Sequence, residues 1–327
     1  MSDWKIFKGS GAQHDRITTL PPPPPWRFAR AAKPILPTRK RDRTEEGRAA
    51  PFLPSREMIR AVNAALYLRR PLLLTGKPGS GKSTLISKVA HELNLGPVLR
   101  WPIGSRSTVK AGIYQYDAVG RLQAGKDADP PVEDYLTLGP LGTALMAEGR
   151  PRPLLVDEID KSDLDFANDL LNVIEEGEYE IPELRRLKAD AVEVRDAFGA
   201  LARVEHGLLR ADHFPFVVMT SNAEREFPAP FLRRCVRLDV PTPDRGELVR
   251  IIDAQLARFA AEIDRAEVDA VIEEFFENAA QGDVSTDQLL NAVFLTVALK
   301  DHDARRFTDD DISALRGTLL RTIGGSG

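Results

Sequence analysis

Between residue 51 and about residue 240, short apolar runs alternate with longer stretches in which apolar residues recur at helical spacing. The runs are centred on Leu72–Leu74, Val98–Ile103, Pro153–Val156, Phe214–Met219 and Cys235–Val240. Runs this short and this apolar predict strands buried on both faces. Between them, Met58, Ile59, Val62 and Leu66 share one helical face behind Ser55, a residue suited to cap a helix N-terminus. Leu85, Ile86, Val89, Ala90 and Leu93 form a second such face, and Leu164, Leu170, Leu171 and Ile174 a third, within a helix expected over 163–175. A short helix is expected over 138–148. Strands that alternate with helices predict an α/β domain, a parallel sheet with helices on both faces, over residues 51–243. From Asp244 onward only the helical period remains, over 248–259, 268–276, 285–299 and 309–320. That change predicts a small all-α domain over 244–327.

Four stretches fit neither pattern. Residues 1–50 contain an unbroken proline run, Pro21–Pro25, and a basic segment from Arg27 to Arg48 that includes Arg39, Lys40 and Arg41. This reads as a largely extended polyproline-type spacer followed by a charged tether. It could dock a partner or touch nucleic acid, or it could be a solvated tail that closes on the domain near Trp26 and Phe28. Gly112–Asp117 reads as an aromatic loop, and 120–134 as a polar insertion. Residues 177–209 are highly charged and suit a hairpin plus a helix.

Composition narrows the class. The chain has 327 residues, 43% of them hydrophobic, and a net charge of −4 with a pI near 5.9. No global basic field draws it to nucleic acid. Cys235 is the single cysteine, so no internal disulfide framework exists. The first residues lack the apolar core of a signal peptide, and no stretch reaches the roughly 18 apolar residues that a span requires. A soluble cytoplasmic protein without a membrane role is expected. The five histidines are scattered, with no ligand cluster among them.

The chemistry concentrates at the ends of the predicted strands. After Leu72–Leu74 the chain reads Thr75-Gly76-Lys77-Pro78-Gly79-Ser80-Gly81-Lys82-Ser83-Thr84, a match to G-x-x-x-x-G-K-[ST]. In such a loop, backbone N–H groups wrap phosphates, Lys82 reaches the β/γ oxygens and the Ser83 hydroxyl meets Mg²⁺. The glycines permit close approach, and the helix start that follows favours negative charge. The buried strand before the loop and the amphipathic helix after it are the context the motif requires. The run Pro153–Val156 ends in Asp157 and Glu158, which a parallel strand delivers to the ligand-binding edge of the sheet. Asp157 is expected to complete the metal's coordination and Glu158 to polarise an attacking water. Asn222, at the end of the Phe214 run, is placed to hydrogen-bond both the γ-phosphate and that water. Arg233 and Arg234 precede the last strand. An arginine supplied by a neighbouring subunit can stabilise transition-state charge, whereas surface arginines paired with acids would do no more than hold the fold.

Together these segments resemble the AAA+ ATPases, and within them the MoxR type. The resemblance rests on Gly76–Ser83 as Walker A, Leu154–Glu158 as Walker B, Thr220–Asn222 as sensor 1 and Phe231–Cys235 as the arginine-finger segment, and it covers roughly residues 55–245. It implies an ATP hydrolase that uses ATP and Mg²⁺ and forms a homo-oligomeric ring, expected as a hexamer. It also implies chaperone-like remodelling of a protein, often with a partner that bears a von Willebrand factor type A domain. Alignment with the family pattern places the finger at Arg234, with Arg233 as the second candidate. Tyr114 and Tyr116 would face a central pore, unless they are packing residues. The sequence departs from the family at the third helix of the terminal domain, where a sensor 2 arginine usually stands and this chain reads Asp283-Val-Ser-Thr-Asp287. The guanine-reading N-K-x-D pattern is absent, which leaves adenine by elimination. Two other readings remain at this point: a nucleic-acid-dependent motor or loader, and a slow ATP-binding signalling switch.

Overall fold

A computed structural model describes residues 4–26, 33–38, 41–124, 130–187, 189–256, 265–279, 284–302 and 308–320. The chain divides into two compact units. The first takes residues 1–50, 54–75 and 82–239, and the second 51–53, 76–81 and 240–327.

In the first unit, a short helix α1 (Glu46–Ala49) precedes α2 (Arg56–Leu68). Ser55 Oγ accepts the Met58 N–H and so satisfies one of the donors that a helix start leaves open. Strand β1 (Leu72–Thr75) leads through the glycine loop to α3 (Lys82–Glu92), and β2 (Leu99–Pro102) follows. Next come α4 (Val109–Ile113), β3 (Tyr114–Tyr116), α5 (Ala118–Ala124), β4 (Leu136–Leu138) and α6 (Pro140–Leu145). The acid-bearing strand is β5 (Pro153–Asp157), followed by α7 (Leu164–Glu176), which Asp163 caps by accepting the Phe166 N–H at 2.6 Å. The charged stretch resolves into β6 (Glu178–Glu180), α8 (Pro182–Arg185), β7 (Ala191–Arg195), β8 (Leu201–Glu205) and β9 (Leu208–Arg210). Then β10 (Phe216–Ser221), α9 (Ala229–Arg234) and β11 (Val236–Asp239) complete the unit.

Among the described residues the strands form two sheets. The central one is parallel throughout, in the order β11-β1-β10-β5-β2. Every residue of β10 and the first three of β1 are buried. Because side chains alternate across a strand, this means that both faces of the sheet are covered. The second sheet, β3-β4-β7-β8-β9-β6, is mainly antiparallel.

One expectation changes here. Gly112–Asp117 is not a loop: after the turn of α4, Tyr114–Tyr116 pairs antiparallel with Leu136–Leu138. The Tyr-Gln-Tyr alternation is a strand pattern too short to stand out by periodicity. Within 120–134, α5 has no buried residue, and 125–129 lie outside the described residues.

The N-terminal stretch is extended, yet firmly anchored. Ile6, Phe7 and Ile17 are fully buried. Asn63 Oδ1 accepts the N–H groups of Ile6 (2.7 Å) and Phe7 (3.1 Å), and the Glu92 carboxylate accepts those of Lys8 (2.6 Å) and Gly11 (2.7 Å). Contact near Trp26 is not what holds it, since Trp26 is 80% exposed; Phe28, Arg39 and Lys40 lie outside the described residues. Backbone donors captured by buried side chains of α2 and α3 compensate for the few apolar residues.

The second unit carries α10 (Arg245–Leu256), α11 (Arg265–Ala279), α12 (Thr286–His302) and α13 (Asp309–Leu319) around a core that includes Leu248, Ile252, Val271, Phe275 and Leu289. Thr308 and Asp311 form a reciprocal capping box at the start of α13.

Candidate nucleotide site

Strand order brings three carboxyl ends together. β10 lies between β1 and β5, so Thr75, Ser221 and Asp157 end neighbouring strands on the same edge. Open α/β sheets bind ligands at this edge, at the point where strand order reverses.

At its centre, Asp157 Oδ1 accepts two hydroxyls, Ser83 Oγ at 2.7 Å and Thr220 Oγ1 at 2.5 Å. Thr220 Oγ1 in turn accepts the Glu158 N–H at 3.0 Å, so one threonine ties both acids to β10. Glu158 adopts the left-handed region at φ 58°, ψ 47°, which is uncommon for a residue with a Cβ and turns the chain sharply out of β5. Its Oε2 accepts from Lys161 Nζ at 2.6 Å, and its Oε1 lies 3.5 Å from Asn222 Nδ2. Lys82 is buried at the start of α3. Burial pushes its ammonium pKa down, and the carboxylates of Asp160, Asp157 and Glu158 oppose that shift.

Asp160 was not legible as part of this cluster. It is 4% exposed, and its Oδ2 accepts the backbone N–H groups of Asn222 (2.9 Å) and Glu224 (3.1 Å). Its Oδ1 is buried without a hydrogen-bond partner among the described residues. The signal was present in Asp157-Glu158-Ile159-Asp160, where buried Ile159 separates a further acid from the first two. Thr220, named before only as part of a segment, proves to be the bridge between β5 and β10.

The glycine loop is described with the second unit and is bonded at either end to β1 and α3. Ser80 Oγ donates to the Lys77 carbonyl at 2.9 Å, which holds a tight turn. Gly76, Gly79 and Gly81 have φ of 147°, 76° and 83°. A Cβ at Gly76 would meet the Val240 carbonyl at 2.4 Å, and one at Gly79 would come 3.0 Å from Thr286 N. Only glycine fits the first of these. Lys77 and Pro78 are exposed, Ser80 is buried and Thr84 is half-buried. The start of α12 facing Gly79 reads Ser285-Thr286-Asp287 without an arginine, and Asp283 lies outside the described residues.

The arginines are placed apart from this cluster. Arg234 makes a forked ion pair with Glu175 on α7, Nε at 3.0 Å and Nη2 at 2.6 Å, and donates to Asn172 Oδ1 at 2.9 Å. Arg233 is exposed, and its carbonyl accepts from Arg70. No described hydrogen bond or ion pair links either arginine to Asp157 or Glu158. Tyr114 is 2% exposed and donates to Glu183 Oε2 at 2.6 Å, so it is a packing residue rather than a pore-facing one; burial also pushes its hydroxyl pKa up. Tyr116 is half-buried.

The donor set suits magnesium and a triphosphate. Ser83 and Asp157 offer hard oxygens, few in number, as Mg²⁺ prefers when phosphates complete its shell. No group of three or more metal-ligating side chains that could form a full protein cage occurs among the described residues. A positive-φ glycine loop that leads into a helix N-terminus suits an anion.

A parallel sheet in this order, with a phosphate loop after its first strand and acids at the end of its third, defines a P-loop protein of the AAA+ fold. The chain belongs to the AAA domain family, dynein-related subfamily, whose model matches residues 71–235. It is similar to the S. cerevisiae Hsp104–ADP complex at 17% identity and TM-score 0.44, covering 80% of this chain and 47% of that one. It is also similar to the FIGL-1 AAA domain in complex with ADP at 15% identity and TM-score 0.40, covering 78% of this chain and 73% of that one. The chain thus spans about half the length of the Hsp104 chain. Comparison with curated proteins gave no match. No helix among the described residues is long and apolar enough to cross a membrane.

Proposed function

We propose that this chain is a Mg²⁺-dependent ATPase that couples hydrolysis to remodelling of a protein partner and works as a homo-oligomeric ring. The observation that carries the reading is Asp157 Oδ1 shared by the Ser83 and Thr220 hydroxyls, with Glu158 turned out immediately behind it.

Phosphoryl transfer asks a protein for positioning and charge neutralisation more than for covalent work. Gly76–Thr84 would hold the phosphates, Lys82 the β/γ oxygens, and Ser83 and Asp157 the metal. Bound there, Mg²⁺ supplies neutralisation of phosphate charge. Lys161 occupies Glu158 Oε2, which leaves Oε1, on the Asn222 side, to accept a proton from an attacking water. Asn222 is held for this by Asp160, which anchors its backbone N–H. Arg234, with Arg233 as second candidate, would serve the site of an adjoining copy after release from Glu175. Head-to-tail contacts of this kind close into rings when the rotation permits, and a hexamer is the size we propose. The resemblance to the MoxR type supports remodelling of a protein, with a von Willebrand factor type A domain as the partner class, in the cytoplasm.

A second reading, a slow ATP-binding switch, is favoured by one observation: the start of α12 offers no arginine. Phosphate release by the full chain should rise when a protein carrying a von Willebrand factor type A domain is added, and should ignore DNA and RNA. Stimulation by nucleic acid with steep salt dependence would instead make it a motor. A very low rate under every condition, with ATP-driven assembly intact, would make it a switch.

A further inference from the structure

At the opposite end of the central sheet from the acids, the first unit encloses a cavity of about 270 Å³. Its walls come from Leu66 and Arg69 at the end of α2, His213 and Phe214 ahead of β10, and Ile35 and the proline run Pro21–Pro23. The prolines form a stiff extended wall with no N–H groups of their own. Most of the lining is apolar; Thr18, Lys33, which is held by Asp212, and Arg70, which donates to the Arg233 carbonyl, also line it, and two buried polar groups break it.

The first is Arg69. It is 9% exposed, and its guanidinium donates to the carbonyls of Leu66, Tyr67 and Pro21. No carboxylate pairs with it among the described residues. Burial pushes its pKa down to about 10, so it keeps its charge at neutral pH. A buried cation without a counter-ion is costly, and the usual remedy is an anion. The second is His213, 4% exposed, whose Nε2 is buried without a hydrogen-bond partner among the described residues. Such groups are rare in folded proteins. Burial, aided by Lys33 and Arg69 and opposed by Asp212, pushes its pKa down, so it offers a neutral imidazole rather than a second charge. Asp212 itself is held by Lys33 at 2.8 Å and leaves Arg69 uncompensated.

We propose that this cavity binds a monocarboxylate with a compact apolar body, its carboxylate between Arg69 and His213 and its body against Pro21–Pro23, Ile35, Leu66 and Phe214. The volume lies just under the range of about 300–1,000 Å³ that drug-sized ligands occupy, which suits one aromatic ring or branched alkyl group. One buried cation and one neutral imidazole match a single negative charge, Lys33 at the rim being already paired with Asp212, whereas a phosphate dianion would meet mostly apolar walls. The same chemistry is found in a free small acid and in the carboxyl-terminal residue of a polypeptide. The inference stands apart from the nucleotide chemistry, since cavity and acids lie at opposite strand ends.

The test is titration of the full chain, by calorimetry and ligand-observed NMR, with phenylacetate, phenylacetamide and acetyl-Gly-Gly-Phe. Phenylacetate should saturate at one per chain, and the neutral amide should bind at least about tenfold more weakly, the effect of losing one charged hydrogen bond. Arg69→Gln should weaken phenylacetate by a similar factor. Ile35→Trp, which fills the cavity from its rim, should abolish binding and leave nucleotide binding unchanged; this arm and the amide decide the matter even if Arg69→Gln does not fold. If the tripeptide binds at least as tightly as phenylacetate, the ligand is a chain terminus; if it is excluded while phenylacetate binds, the ligand is a free acid. Equal affinity for acid and amide, unsaturable binding, or undiminished binding to Ile35→Trp would overturn the proposal.

Discussion

Glu158→Gln should bind ATP as tightly as the parent chain and release phosphate about 10²- to 10⁴-fold more slowly, the usual loss when a general base is removed. The amide matches the carboxylate in size and can still meet Asn222, but it cannot take up a proton. The backbone that presents the side chain is set by the left-handed φ at 158 and by the bond from its N–H to Thr220, and neither depends on the carboxylate. The substitution does break the ion pair with Lys161. That pair is about 40% exposed on both sides and screened by solvent, so its loss should cost little stability. Single-turnover phosphate release set beside a nucleotide titration separates these effects. Release near the parental rate would show that Glu158 does not polarise the water.

Arg234→Ala should impair its neighbours. If the guanidinium serves an adjoining copy, mixed assemblies of parent and variant chains should turn over more slowly than the fraction of parent chains predicts, because each variant disables a site it does not own. Loss at each affected site should approach the factor of about 10³ to 10⁵ attributed to arginine fingers. Within one chain Arg234 is engaged with Glu175 and Asn172, so the change also removes a partly buried pair. Glu175→Gln provides the control. It weakens the same pair but leaves the arginine, and chains that carry it should not slow their neighbours. Turnover strictly proportional to the parent fraction would argue that sites are not shared.

The five strands of the central sheet were legible because burial on both faces leaves near-continuous apolar runs, and Leu72–Leu74, Leu154–Val156 and Phe216–Met219 are such runs. The four terminal helices were legible by their period. The second sheet was legible only in part: 177–209 showed a hairpin and a helix, but β3, β4, β6 and β9 are three residues each, shorter than any window in which alternation can be counted. The anchoring of residues 4–17 escaped for another reason. It depends on Asn63 and Glu92, polar residues inside helices, which capture backbone N–H groups far away in sequence. A pattern of residue types does not show which polar side chain turns inward.

At the site, the loop, Asp157, Glu158 and Asn222 could be named because glycine spacing and strand ends are local features. The Thr220 bridge and the Asp160 anchor could not, since each joins residues more than sixty positions apart. The Arg234–Glu175 pair was foreseen only as the plain alternative to a finger, and it is the arrangement a single chain adopts.

The claim beneath all of this is that a triphosphate with its metal rests on Gly76–Thr84 and is completed by Asp157. Titration of the full chain with a fluorescent ATP analogue in the presence of Mg²⁺, beside Lys82→Ala, tests it most directly. The account predicts saturable binding at one nucleotide per chain, weakened about tenfold to a hundredfold when the buried ammonium is removed. A parent chain that fails to bind, or a Lys82→Ala chain that binds equally well, would contradict it.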